Sequence, residues 1–354
     1  MSHLYKTCLV GCGRMGATID DEVQANPSKH LWLPYSHAAA YRACERTRLV
    51  AVSDVLPDKA EAVHRRYDAE RWYADHREMI LHEKPDIVSI ATRPASHAEI
   101  SVFAAEHGVR GMYCEKALCC SMVEADRMLE VCERYGVKFN YGTQRRYMPL
   151  YRTMRELVER GELGDVRAVI GCHGGTSGAQ WGHTHTADML LYLAGDPEVE
   201  YVQGSAVVEE GDFADNRIET DPGIAAGYLR FRNGVHGYIV AKPGSDFEVH
   251  GTDGRLLADE RKEQVARWER ATPGRFGQLE EVPFPEVNHV SGTLEGIREI
   301  VAALDRDGDT AGNIRIACRS QEMVLGIIES ERFRGAKVRL PLENRSLYVG
   351  RRDW

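Results

Sequence analysis

"KTCLVGCGRMG", residues 6–16, decides the fold: a short apolar run passes directly into Gly11-Cys12-Gly13-Arg14-Met15-Gly16. The run has the length and composition of a buried strand, and the glycines complete a G-x-G-x-x-G spacing. In that spacing the first glycine permits a tight turn, the second lets the backbone approach a pyrophosphate, and the third lets helix and strand pack closely. The phosphates then meet N–H groups that the start of a helix leaves without intrahelical partners. An isolated match fits a ligand-free glycine turn equally well. This one follows a strand and opens a helix, which favours a dinucleotide.

Working outward, "RLVAVS" (48–53), "DIVSIA" (86–91), "VRGMYC" (109–114) and "VKFNY" (137–141) read as further strands. Between the later ones lie helices with start and stop signals. Ser96 with Glu99 reads as a capping box, with Gly108 after the helix, and Ser121 with Glu124 repeats the pattern before Gly136. Ala125, Met128, Leu129 and Cys132 share one apolar face. Strands separated by helices predict an α/β fold: a doubly wound parallel Rossmann sheet with its ligand at the carboxyl ends of the strands. The second strand ends at Asp54, where a carboxylate would accept hydrogen bonds from the adenosine ribose and repel a 2′-phosphate. NAD is therefore expected rather than NADP. Gly11 and Asp54 are 43 positions apart, against about 20 in the usual pattern. The excess is "DDEVQANPSKHLWLPYS" (20–36), which Pro27 and Pro34 keep from being one helix. It reads as a substrate-covering flap carrying Trp32, Tyr35 and His37, or as a surface loop.

The 354 residues, 43% hydrophobic with net charge −9, suggest two domains of average size. An acidic balance argues against nucleic acid or acidic lipid as partner. No apolar run approaches the roughly 18 residues of a membrane span. Nine cysteines without a C-x-x-C unit, and no secretory signal, read as reduced thiols in a cytoplasmic protein. Cys114, Cys119 and Cys120 have no evident base and read as packing residues.

"DIVSIATRPASHAEI" (86–100) and "GVRGMYCEKAL" (108–118) resemble the Gfo/Idh/MocA family (glucose–fructose oxidoreductase, inositol dehydrogenase). The resemblance continues through 141–169 and 247–257 and into the late helices, sparing 20–36 and the polar stretch 259–285. It implies a dinucleotide-binding domain, residues 1–140, followed by an α/β domain, 141–354, with a large, mostly antiparallel open sheet. "YLRFRNGVHGYIV" (228–240) agrees independently, since Asn-Gly is preferred in tight hairpins. By analogy, the open sheet face implies a homo-oligomer, dimer or tetramer. The resemblance also implies that Ala91, Thr92, His97, Glu115, Lys116 and Gln144 join Gly11, Gly13, Arg14, Met15, Gly16 and Asp54 around the cofactor. Arg145 and Tyr147 would meet the substrate, although a structural ion pair and ordinary core are competing readings of the 144–147 segment.

Oxidising a secondary alcohol removes a hydride from carbon and a proton from oxygen, so a base must touch the hydroxyl. Lys116 matches the family's catalytic lysine, and a bound cationic ring would ease its deprotonation; the bland alternative is a solvated lysine. In "QWGHTHTAD" (180–188), His185, Asp188 and Gly195 reproduce the family's H-x-x-D-x-x-x-x-x-x-G spacing. His185 is thus the expected catalytic imidazole, with Asp188 steadying a helix start. Two positions depart from the family: Trp181 stands where many members have an aspartate, and Ala117 replaces the proline after the lysine. His183 would supply the missing polar group, and Trp181 would shape the substrate pocket. Metal binding by His183 and His185 on an extended segment, with His173, is the rival reading; no metal is expected. Three functions are compatible: an NAD-dependent dehydrogenase of a sugar, sugar acid or cyclitol; a lyase or glycosidase that uses NAD transiently; and a non-catalytic NAD sensor.

Overall fold

The computed structural model describes residues 3–173, 178–209, 211–242, 244–259, 265–273 and 277–354; parts of the polar stretch, 260–264 and 274–276, lie outside them. β1 (Tyr5–Val10) has five of its six residues buried, as a central parallel strand covered on both faces requires. A helical turn over Arg14–Thr18 leads into α1 (Ile19–Val23). There follow α2 (His37–Ala43), β2 (Thr47–Ser53), α3 (Pro57–Tyr67), β3 (Arg71–Tyr73), α4 (His76–Glu83), β4 (Ile87–Ile90), α5 (Pro94–Glu106), β5 (Gly111–Cys114), α6 (Met122–Tyr135) and β6 (Lys138–Tyr141). The sheet runs β3-β2-β1-β4-β5-β6, every pair parallel. All carboxyl ends therefore lie on one edge, with the strand order reversing beside β1.

Two sequence readings change. β3 was not legible, being three residues long with two of them exposed. The Ser96/Glu99 capping box does not form. Pro94 starts α5 three residues earlier than a Ser96 cap would, and its fixed φ suits a first helical position. Ser96 Oγ instead donates to Thr92 Oγ1 at 2.8 Å, and Glu99 pairs with Arg77. The Ser121/Glu124 box forms as expected, and Gly136 closes α6 in the left-handed region at φ 66°. Residues 20–36 are not one helix: α1 ends at Val23, and one short turn spans Lys29–Leu31. The Asp20 carboxylate closes this loop by accepting the N–H groups of Tyr35 and Ser36, each at 2.9 Å.

The chain continues through α7 (Pro149–Glu159), β7 (Val166–His173), α8 (Thr184–Leu193), β8 (Val199–Val207), β9 (Arg217–Ile218), β10 (Gly223–Phe231), β11 (His236–Val240), β12 (Ser245–Gly251), β13 (Gly254–Asp259), β14 (Val265–Ala271) and β15 (Leu279–Val282). After α9 (Gly292–Arg306) and α10 (Ile314–Arg332) come β16 (Val338–Arg339) and β17 (Tyr348–Val349). The second sheet runs β15-β14-β13-β12-β7-β11-β10-β8-β16. It is antiparallel except for the β7–β11 pair. The turn of the β10–β11 hairpin holds Asn233 and Gly234, Gly234 at φ 92°.

Two compact units result: residues up to Met148 with His289–Cys318, and Pro149–Asn288 with Arg319–Asp353. The first unit's core joins Leu9, Val52, Ile87 and Tyr113 of the sheet to Ile297 and Ile300 of α9. Among the described residues, no helix is long and apolar enough to cross a membrane.

Candidate active site

The residues named from sequence divide between the units. In the first, the glycine turn leaves the tip of β1. A Cβ on Gly16 would lie 2.0 Å from the Gly11 carbonyl oxygen, and one on Gly11 would lie 2.6 Å from that of Ala91. Both glycines are thus required by the fold itself. Gly13 differs: a Cβ there would meet no protein atom within 4 Å. That open backbone, at a helix start, is the cradle a pyrophosphate needs. Beside it, at the tip of β2, Asp54 accepts the N–H of Cys12 at 2.8 Å and that of Leu56 at 2.9 Å. Its partly exposed carboxylate is held against the turn, with lone pairs left over for hydroxyl donors. The residues present therefore fit a dinucleotide. Arg14 extends outward and pairs with Glu22 at 2.8 Å, while Met15 is partly exposed.

Ala91 and Thr92 follow β4 and are half-buried; the Thr92 hydroxyl accepts from Ser96. His97 is fully buried behind them, and its Nδ1 lies 2.9 Å from the Ala117 carbonyl oxygen. Burial lowers its pKa, so the neutral ring donates one N–H to the turn that carries Lys116. Lys116 is partly exposed two residues beyond β5, and its peptide bond to Ala117 is cis. Glu115 is 5% exposed; one carboxylate oxygen accepts the Lys116 N–H at 3.3 Å and the other lies 3.0 Å from His37 Nε2. Gly142 permits this close approach, since a Cβ there would stand 3.0 Å from Glu115 Oε1.

Gln144, Arg145 and Tyr147 form a short helical turn after β6 and are all buried. The Gln144 amide donates to the Tyr35 hydroxyl at 3.0 Å, tying the 20–36 loop to this segment. Tyr147 is fully buried, its hydroxyl 2.7 Å from the Tyr141 carbonyl oxygen and 2.8 Å from Asn140 Oδ1. All nine cysteines are buried, and burial pushes the Cys114 and Cys119 thiols well up.

In the second unit, the histidine stretch is helical, not extended as the metal reading assumed. Ala179–His183 forms a wide turn that runs into α8 from Thr184. Residues two apart on a helix point to different sides, so His183 and His185 do not share the face an extended chain would give them. Among the described residues, no group of three or more His, Cys, Asp or Glu side chains is placed to hold a metal. His183 is fully buried, which pushes its pKa down to about 4; it is neutral at pH 7. His185 is 9% exposed and Trp181 50% exposed. Asp188 is fully buried and beyond the first turn of α8, so it does not serve the helix start as its spacing suggested.

That role falls to Asp221, whose carboxylate accepts the N–H groups of Gln180 at 2.8 Å and Trp181 at 2.9 Å. It satisfies amides that the helical start leaves exposed. Gln180 is itself clasped, its Oε1 accepting from Gln321 at 2.7 Å and its Nε2 donating to the Val349 carbonyl at 2.9 Å. Asp221 and Gln321 were not singled out from sequence. Each is more than 30 positions from the histidines, and no local pattern marks them.

The Gfo/Idh/MocA model, an oxidoreductase family with an NAD-binding Rossmann fold, matches residues 5–143. The model of the same family's C-terminal α/β domain matches residues 155–340. A myo-inositol 2-dehydrogenase of Thermotoga maritima is 28% identical over 249 residues, 64% of this chain and 72% of the relative. An NAD-dependent scyllo-inositol 2-dehydrogenase of Bacillus subtilis is 25% identical over 276 residues, 73% of this chain and 74% of the relative. The solved structure of levoglucosan dehydrogenase with NADH and levoglucosan shares the fold at TM-score 0.72 and 19% identity, covering 96% of this chain and 100% of that one.

Proposed function

Because the chain belongs to the Gfo/Idh/MocA oxidoreductase family with its NAD-binding Rossmann fold, we propose that it oxidises a secondary alcohol of a cyclitol or sugar, or reduces the corresponding ketone. One observation carries this reading. The open glycine turn after β1 and Lys116 after β5 leave the same edge of one parallel sheet with only β4 between those strands, a separation of about 10 Å at the tips. A cofactor held at the first would present its reactive end toward the second. When bound, NAD supplies the hydride acceptor.

The chain's own residues supply the proton chemistry. Lys116 takes the hydroxyl proton, with His185 as the second proton-handling group. His183, neutral at pH 7, assists as a hydrogen-bonding group and not as a cation. Trp181 and Arg145 are each proposed as substrate contacts. Asp54, whose negative charge disfavours a 2′-phosphate, selects NAD. The inositol and levoglucosan relatives support a polyhydroxylated ring as substrate. We further propose a cytoplasmic homo-oligomer paired through the open face of the second sheet, where Tyr238 and Val240 are exposed.

The experiment incubates the purified protein with NAD and a panel of inositols and monosaccharides, following NADH absorbance and product mass together. NADH formed in step with a product two mass units lighter supports the proposal. Product without NADH indicates transient oxidation followed by elimination, and neither outcome with any compound rejects both. Lys116→Ala is expected to lower kcat by about 10²–10⁴-fold with NADH affinity retained.

A further inference from the structure

A linear chain of buried polar groups runs from the core of the first unit to the backbone of Lys116. It begins at the Tyr41 hydroxyl, 2.9 Å from Ser89 Oγ. Ser89 Oγ lies 3.0 Å from His37 Nδ1, His37 Nε2 lies 3.0 Å from Glu115 Oε1, and Glu115 Oε2 accepts the Lys116 N–H at 3.3 Å. Tyr41, Ser89 and His37 are fully buried and Glu115 is 5% exposed. A carboxylate has no hydrogen to give, so His37 Nε2 carries the one between them. The histidine is thus the only side chain among the described residues that hydrogen-bonds the Glu115 carboxylate. Tyr113 of β5 packs its ring 4.8 Å from that of His37, so among the described residues the imidazole is hydrogen-bonded by Glu115 and Ser89, with Tyr41 behind Ser89 and the Tyr113 ring against it.

The loop 20–36 accounts for where His37 sits. Asp20 grips the amides of Tyr35 and Ser36, and the Ser36 hydroxyl caps α2 through the Ala39 N–H. The first residue of α2 is His37, now fixed behind the tip of β5. A buried carboxylate adjoining a lysine has two choices of partner. It can satisfy itself on the imidazole, or turn toward the ammonium and hold its proton.

We propose that His37 is a positioning residue: by occupying Glu115, it keeps that carboxylate from pairing with the Lys116 ammonium, so that the lysine can release and accept a proton. This rests on the catalytic role given to Lys116 above, but the test does not require turnover. The wild-type protein, His37→Leu and His37→Gln, each saturated with NADH, are treated with acetic anhydride across pH 7–11. Acetylation of each lysine is followed by peptide mass spectrometry, the other lysines serving as internal controls.

In His37→Leu the freed carboxylate should raise the pH midpoint of Lys116 acetylation by about one unit, an approximately ten-fold slower reaction at pH 8, while the control lysines stay unchanged. The glutamine, which keeps an N–H donor, should track the wild type within about two-fold. An unchanged Lys116 profile in His37→Leu overturns the proposal. So does a glutamine variant as perturbed as the leucine, which would make the effect one of packing. Should His37→Leu not fold, His37→Phe, which keeps a ring but offers Glu115 no N–H, replaces it; the same rise is expected, and a midpoint equal to wild type overturns the proposal. Failure of the polyol panel would leave these acetylation outcomes unaffected, so the two readings fail separately.

Discussion

Gly13→Ala separates binding from folding. Gly13 has φ −80° and ψ −158°, a conformation alanine adopts freely, and the new methyl would meet no protein atom within 4 Å. Replacing glycine under those conditions stabilises a protein by about 0.4–1 kcal/mol, because the unfolded chain loses freedom. The melting temperature should therefore stay level or rise by roughly 1–4 °C. The same methyl occupies the space a pyrophosphate must enter, and a lost close approach of about 2.7 kcal/mol is a hundred-fold in affinity. NADH titration by nicotinamide fluorescence should show weakening of about that size or more. Gly16→Ala is the counterpart: its methyl would lie 2.0 Å from the Gly11 carbonyl oxygen, so it should destabilise the fold by about 1–3 kcal/mol. A Gly13→Ala protein that binds NADH within three-fold of wild type would refute the reasoning, since the phosphates would then lie elsewhere.

Asp54→Asn should weaken NADH by about ten-fold and narrow the preference over NADPH, because one charge-assisted acceptor for the ribose is lost; parallel titrations with both nucleotides check this. Ser121→Ala removes half of a formed capping box and should cost about 1 kcal/mol in urea unfolding, with NADH affinity unchanged. Asp221→Ala leaves the amides of Gln180 and Trp181 unsatisfied and should cost about 1–3 kcal/mol by the same assay. His183 has a folded pKa of about 4 against an ordinary 6.5, so folding favours the neutral ring. That contribution is complete above pH 6.5 and is lost as pH falls through 6.5 toward 4, about 2 kcal/mol of it by pH 5. Urea midpoints at pH 7 and pH 5 should therefore diverge less in His183→Gln than in wild type.

The Rossmann sheet was legible because its signals are local and repeated: apolar runs, glycines at fixed spacing, the Ser121 and Gly136 caps. β3 escaped because three mostly exposed residues carry no burial pattern. The helix start at His185 was legible, but the extended segment assumed by the metal reading does not form: backbone amides caught by Asp221, 36 positions past His185, hold 179–183 in a helical turn. His37 shows the same limit. Its position beside the loop suggested a flap, yet the Asp20 clasp turns it into the core, against Ser89 and Glu115. Pairings across tens of residues are set by the packed sheet, and no short window of sequence contains both partners.

The most direct test of hydride transfer follows an isotope. A substrate found with the polyol panel, deuterated at every carbinol carbon, is incubated with the protein and NAD, and the recovered NADH is analysed by mass spectrometry. One deuterium is expected in each NADH formed, on the nicotinamide ring, with labelled NADH appearing about 10²–10⁴-fold more slowly when Lys116→Ala replaces the wild type. Product formed with its full complement of deuterium, or with that deuterium released to water while NADH stays unlabelled, would contradict hydride transfer.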